Sequence, residues 1–510
     1  MKIVFVPLDE RPCNDLFPRL LAEGTDVDLV TPGLDRMGLK KRPADVDRLW
    51  EWLLEEVKDA DGAILSLDTL LYGGIIPSRL HSLTVEQCEQ RLKGLKKLKE
   101  RNPSLKLYAF NLIMRCPKYS SSDEEPDYYG DWGREIFLQG YIHHRIELGI
   151  ATEEEKTQLA EIEAVLPREA LDDYVGRRAV NRAVNRLALE YVQDGTIDFM
   201  SIPQDDSAPY GLTAIDQQLV RTSVGELGVE LQVYMYPGAD EVGCTLLARM
   251  VNEAKGRRPL IYAHFASANG PFVTPAYEDR LVYESVKYQI LAAGGLMCTS
   301  MAEADLILCI NMPGDTMMEA VNQDAPSLGY TVMRNITELT VMAAYAVRTL
   351  NKPCVVADIA FANGSDLTLF KLLRKKGLLF ELAGYAGWNT SSNTLGTCIA
   401  QGMLYAIYGD TKEHRNFLAH RFVEDAGYCS RVRRLVANRD LPGLGLDYFQ
   451  VDGQRGRVSA IVKTELEAFV QESIANESYR IVIDDCYMPW SRMFEVGLAV
   501  HVEEEEKDPA

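Results

Sequence analysis

The sequence predicts an α/β protein whose first 315 residues form a (β/α)8 TIM-barrel-like domain, followed by a mainly helical α+β C-terminal region. Three observations predict it. Short β-branched apolar runs alternate with longer helical patterns, the signature of a parallel sheet with crossover helices. Eight such runs precede residue 315. The segments that follow the runs are polar in a consistent way, as expected where a ligand site gathers at strand carboxyl ends. A doubly wound open sheet is the alternative, and it places the site at the same strand ends.

The runs in order are KIVFVP (2–7), VDLVT (27–31), GAILSL (62–67), KLYAFNLI (106–113), IDFMSIP (197–203), LQVYMYP (231–237), LIYAHFA (260–266) and DLILCINM (305–312). A ninth, CVVADIAF (354–361), follows one more helical pattern. KGLKKLKER (93–101), the most basic stretch, follows Thr84 and Gln87, which form a capping-box pattern opening an amphipathic helix, so it reads as a solvated helix face. The connection after the fourth run is a large helical insertion, about 118–195, opening with the polar and aromatic loop SSSDEEPDYYGDWG (120–133). It ends in the helix VGRRAVNRAVNRLALEYVQDG (175–195). This gives a 1–315 catalytic domain, a 316–400 α/β segment contributing to the site, and a 401–510 helical region. The last region closes with a strand pair, YRIVIDD and MFEVGLAVHV, and the tail HVEEEEKDPA reads as a frayed, solvated end.

Composition narrows the function. The chain has 510 residues, 47% of them hydrophobic and 25% charged, enough to bury large cores. A formal net charge of −21 repels nucleic-acid phosphates and anionic lipid, which argues against both as partners. MKIVFVPLDE has no secretory apolar region, and no apolar run reaches the roughly 18 residues of a membrane span, so a cytoplasmic location is expected. The ten cysteines are scattered without a CxxC pair and read as small buried hydrophobes in a reducing compartment.

At the strand ends, LDERPCN carries Asp9, Glu10 and Arg11; LDTLLYGGIIPSR carries Asp68, Tyr72 and Arg79; Arg115 follows the fourth run. PQDDSAPYG carries Asp205, Asp206 and Tyr210; Tyr236 ends the sixth run before PGADEVG, with Asp240 and Glu241. His264 and Asn311 lie in the seventh and eighth runs, and the ninth adds Asp358, Asn363 and Asp366. Each alone could be a turn former or helix cap; together they suggest one polar basin. The adjacent pair Asp205–Asp206 is the most informative, because Thr213 and Asp216 supply the following helix with its own first-turn groups. Two close carboxylates do not both ionise cheaply, so one should titrate high and serve as a general acid. That division suits glycosidic-bond cleavage. A metal site built on Asp9, Asp68, Asp205 and Asp240 is the chemical competitor, and a non-catalytic glycan-binding basin is a third reading.

No GxxxxGK[ST], GxGxxG, HExxH or GxSxG pattern supports a nucleotide, zinc-protease or serine-hydrolase reading. His143 and His144 read as structural or surface residues, and His264, the only histidine inside a strand, as a satisfied core histidine rather than a catalytic one. In GYAGWNTSSNTLGT (384–397), Trp388 and Asn389 suit a sugar platform, although Ser392 or Asn393 could equally cap the helix that follows. Arg178, Asn181, Arg182 and Asn185 share a helix face that is either solvated or a rim of the basin.

Taken together, PLDERPCN, YGGIIPSR, PQDDSAPYG, PGADEVG, ADIAFANG and GWNTSSNTLGT resemble a bacterial family catalogued as a domain of unknown function, over most of the chain from 7 to 397. The resemblance implies a β-N-acetylgalactosaminidase or related hexosaminidase activity. The aspartate pair also resembles that of retaining hexosaminidases in which the 2-acetamido oxygen of the sugar attacks the anomeric carbon. By that resemblance Asp205 would orient the acetamido group and Asp206 would be the general acid, then base. The substrate would be a small carbohydrate or glycoconjugate, no cofactor or metal is implied, and a homo-oligomer is compatible.

Overall fold

A computed structural model describes residues 1–474 and 479–504; residues 505–510 of the acidic tail lie outside the described residues. The chain forms two compact units. The first comprises Met1–Glu10, Val27–Gly243 and Tyr277–Asp279; the second comprises Arg11–Asp26, Cys244–Ala276 and the chain from Arg280 on. The boundary expected near residue 315 therefore falls inside the second unit.

The first unit is built on six parallel strands: β1 (Lys2–Val6), β2 (Asp28–Val30), β3 (Gly62–Ser66), β4 (Lys106–Phe110), β5 (Phe199–Gln204) and β6 (Val233–Pro237). Their order is β2-β1-β3-β4-β5-β6, with two edges, so the sheet is open and the expected barrel does not close. Residues of β3 and β5 are buried throughout, which is why these runs read as continuously apolar: a parallel sheet is covered on both faces. Leu49, Leu53, Leu70, Leu92, Leu107, Val184 and Leu189 belong to the apolar core around this sheet. The chain reverses its direction of travel across the sheet between β1 and β3. In open α/β sheets this reversal leaves a crevice at the strand carboxyl ends.

The second unit holds β7 (Leu260–Phe265), β8 (Leu296–Cys298), β9 (Leu306–Asn311), β10 (Met318–Glu319), β11 (Cys354–Asp358), β12 (Phe361–Ala362) and β13 (Gly384–Ala386). Five of these form a second open sheet in the order β8-β7-β9-β11-β13, again parallel, while β10 and β12 make a short separate pair. The seventh and eighth predicted runs thus belong to a different sheet from the first six. Phe370, Tyr385, Phe422 and Phe469 anchor its core. The predicted C-terminal pair is present as antiparallel β14 (Tyr479–Tyr487) and β15 (Gly497–Glu504).

At the helix ends one expected cap is present. Thr84 and Gln87 form the capping box at the start of Val85–Leu92. Two caps differ. The helix Leu212–Leu227 starts from Gly211, whose N–H donates to His144 Nδ1 at 3.2 Å, rather than from Thr213. Thr390, not Ser392 or Asn393, caps Ser391–Tyr408. No described helix is long and apolar enough to cross a membrane.

Candidate functional site

The candidate site gathers at the carboxyl ends of β3, β4 and β5, to one side of the reversal between β1 and β3. Thr69 Oγ1 donates to the carbonyls of Pro7 (2.7 Å) and Leu8 (2.8 Å), tying the exit of β1 to the helix Leu67–Tyr72 that leaves β3. β4 runs on irregularly beside β5, with the Ile113 N–H donating to Pro203 O at 2.9 Å, and this delivers Arg115 to the level of the aspartate pair.

Asp205 and Asp206 leave β5 in a turn, and Asp206 has a left-handed backbone with φ of 39°. Such a conformation is uncommon outside glycine and best tolerated by Asp and Asn. It frees two successive side chains from the alternation of a strand, and each finds its own guanidinium. Arg79 Nη2 lies 2.7 Å from Asp205 Oδ2, and Arg115 Nη1 lies 3.0 Å from Asp206 Oδ2. Glu124 and Glu125, from the start of the insertion, cross-link the same cations. Arg79 Nη1 reaches Glu124 at 2.9 Å and Glu125 at 3.4 Å; Arg115 reaches them at 3.0 and 2.7 Å.

Four carboxyl groups thus share two arginines, and the cluster has more potential negative than positive charge. Asp206 absorbs the imbalance: burial first, then the neighbouring Asp205, push its carboxyl up to about 7, against the opposing pull of Arg115 and Arg79. Its side chain nevertheless keeps 23% of its surface exposed, so its proton can reach a ligand. Asp206 opens onto a cavity of about 200 Å³ lined by Tyr119, Phe137, Ser207, Pro209 and Tyr277, among others.

The arginines are held from behind. Arg178 donates to the Arg115 and Met114 carbonyls at 2.7 and 2.8 Å and pairs with buried Asp216 at 2.7 Å. Asn185 donates to Asn111 Oδ1 at 2.7 Å. On this helix face Arg178, Asn181 and Asn185 are buried and brace the segment that carries Arg115, while Arg182 is 35% exposed and pairs with Asp216 at 2.7 Å.

The other expected residues of this unit divide. Glu10 accepts from the Lys40 N–H at 2.7 Å, and Asp9 is buried after β1. Asp68 accepts from the Leu112 N–H at 2.9 Å, and burial above all raises its carboxyl to about 6. Tyr72 stacks on His81 at 4.4 Å and lines a different cavity, with Pro43, Pro77 and Leu83. Asn181 spends its amide on Ser78 O (2.9 Å) and His81 Nε2 (2.7 Å). Tyr210 packs edge-on against Tyr141 beneath Arg145. Tyr236 is fully buried within the sheet, its hydroxyl 3.0 Å from Ser201 Oγ. Glu241 turns back to accept from the Ala239 N–H at 2.9 Å, and Asp240 is buried beside it in sequence. Asp9, Asp68, Asp205 and Asp240 do not converge: among the described residues no three His, Cys, Asp or Glu side chains are grouped to hold a metal ion.

The remaining expected residues belong to the second unit. Arg11 sits over Trp490 at 4.8 Å. Trp388 is 6% exposed with its ring edge-on to Phe17 at 5.5 Å, so it is a core residue and not a surface platform. Asn363 donates to Glu319 at 2.9 Å and, through its backbone N–H, to the Asn389 carbonyl at 2.8 Å. The second sheet gathers its own polar group at the ends of β9 and β11. Asp358 accepts from Asn311 (2.8 Å), the Asp366 N–H (2.8 Å) and Tyr385 (3.1 Å), while Arg334 pairs with Asp366 at 2.7 Å. Burial and then Asp366 raise Asp358 to about 7. Beneath the Gly387–Trp388 turn, a π-helix, Phe422–Val432, presents Glu424 and Asp425 to fully buried Arg421. Burial raises these two carboxyls to about 8 and about 6.

Sequence reasoning missed Glu124, Glu125, Tyr119, Phe137, Ser207 and Tyr277 as site residues. The run DEEPD at 123–127 was the one available signal for the glutamates. A search of curated protein sequences finds no match to the chain. The family model described as "Protein of unknown function (DUF4127)" matches residues 3–499, nearly the whole chain, and the protein belongs to that family.

Proposed function

We propose that the protein is a glycoside hydrolase that removes a terminal N-acetylhexosamine, with β-N-acetylgalactosamine favoured, by a retaining, substrate-assisted mechanism. The observation that carries this reading is the division of the aspartate pair. One carboxyl, Asp206, is raised to about 7 and borders an aromatic cavity, while its neighbour Asp205 is paired with a separate arginine. An acid with a pKa near the working pH both holds and releases its proton readily.

In the proposed cycle Asp206 donates its proton to the glycosidic oxygen as the bond from that oxygen to C1 breaks. The carbonyl oxygen of the 2-acetamido group bonds to C1 from the other face, and Asp205 accepts a hydrogen bond from the acetamido N–H, orienting it. Water then attacks C1, giving its proton to Asp206 and restoring the acetamido group. Arg79 and Arg115 hold the two carboxyls apart in role as well as in space.

The test pairs two chromogenic glycosides that differ only in carrying a 2-acetamido or a 2-hydroxyl group. Hydrolysis confined to the acetamido sugar, and reduced at least ~10²-fold in Asp206→Asn, is the expected result. Equal turnover of both sugars, or an Asp206→Asn enzyme within a few-fold of wild type, removes the reading.

A further inference from the structure

The cavity beside Asp206 has more built into it than an acid requires. Of its lining residues, Tyr119, Phe137 and Tyr277 contribute three aromatic rings on three separate stretches of chain. Lys118 lies over the Tyr277 ring at 6.0 Å. Ser207 is 5% exposed, and its hydroxyl has no hydrogen-bond partner. A buried hydroxyl without a partner costs free energy that a bound hydrogen-bonding group would recover. Two of the lining residues, Asp206 and Tyr277, also have left-handed backbones, with φ of 39° and 67°. Strain of this kind persists where the surroundings hold it and collects at ligand sites.

We propose that this cavity is the leaving-group subsite and that it takes a pyranose ring, so that the chain acts on an N-acetylhexosamine linked to another sugar rather than to a small alcohol. The inference rests on the hydrolase reading above. A sugar ring offers an apolar C–H face to an aromatic side chain and hydroxyl groups at its rim, which matches three rings and one unsatisfied hydroxyl. At about 200 Å³ the space equals roughly seven waters at ~30 Å³ each, suited to one ring and not to an extended chain. The acid faces this space, so the oxygen it protonates would belong to the ring held there.

The experiment compares kcat/KM for an N-acetylgalactosaminyl-β-hexose disaccharide with that for the methyl β-glycoside of N-acetylgalactosamine. It uses wild type, Tyr277→Ala, Phe137→Ala and Ser207→Ala. Taking the ratio of the two substrates within each variant removes any general loss of folded or active enzyme. The disaccharide-to-methyl ratio is expected to fall about tenfold in either aromatic variant, the scale of one lost aromatic contact, and about threefold in Ser207→Ala. A ratio within twofold of wild type in all three variants, with both substrates still turned over, overturns the subsite and leaves the hydrolase reading standing. Absence of wild-type turnover of either glycoside overturns the hydrolase reading and this inference with it.

Discussion

The two units repeat one topological plan and put it to different uses. Both sheets are parallel, open and ordered 2-1-3-4-5, the first with one extra strand. Each brings aspartates to its strand carboxyl ends, and in each one of them, Asp206 or Asp358, is raised to about 7 by burial and an acidic neighbour. The surroundings differ. Asp358 and Asp366 are 1% exposed and held by Asn311, Tyr385, Arg334 and backbone N–H groups, with no surface left for a ligand. The Asp206 side chain is 23% exposed beside a cavity. A shifted carboxyl is thus a weak marker of function by itself. Here access separates a fold-holding cluster from a candidate site.

Four experiments press on that contrast. The largest effect is expected at Arg178, which braces Arg115 from below and neutralises Asp216. Replacing it with alanine leaves Asp216 to Arg182 alone and takes the donor from the buried Arg115 and Met114 carbonyls, so Arg178→Ala should lose about 2–4 kcal/mol of stability by denaturant titration. A loss under 1 kcal/mol would mean that the open cluster does not depend on its brace. Next, Asp358→Ala should cost about 1–3 kcal/mol, because the Asp366 N–H loses its acceptor in a closed interior. If the protein is the proposed glycosidase, its activity per folded molecule should stay near wild type; a loss comparable with that of Asp206→Asn would erase the distinction between the two clusters.

The smallest effects are those of pH. In the proposed cycle Asp206 must be protonated to act as an acid, so kcat/KM for the acetamido glycoside should fall as pH rises through about 7. Asp358 has a folded pKa above its unfolded one, so the folded state binds more protons between about pH 4 and pH 7. Its contribution to stability is therefore full at low pH and is lost as pH rises through about 7. Thermal melts across this window should show Tm falling with pH, and Asp358→Asn should make the slope shallower. A slope unchanged in Asp358→Asn would show that this carboxyl keeps its ordinary pKa.

Much of the fold could be read from the residues, because β-branched apolar runs between helical patterns mark strands that are buried on both faces. All nine predicted runs contain a strand. What could not be read was the partner of each strand: parallel pairing joins residues far apart in sequence, and an apolar run does not encode which neighbour it meets. Two three-residue strands, β8 and β13, were too short to show any period. For the site, the aspartate pair stood out because its spacing was odd. Glu124 and Glu125 did not, because only the course of β4 and the insertion brings them onto Arg79 and Arg115. Tyr236 and Trp388 misled for the opposite reason: an aromatic residue near a strand end has the same composition whether it faces a ligand or fills the core.

The left-handed backbone at Asp206 sets a limit on redesign. A glutamate there is the obvious way to lengthen the reach of the proposed acid, yet the longer side chain lacks the tolerance for this conformation that Asp and Asn share. Variation at this position is therefore constrained first by the turn and only then by the reaction, and libraries aimed at altered acids would do better to begin at Arg115, which tunes the proton from the side.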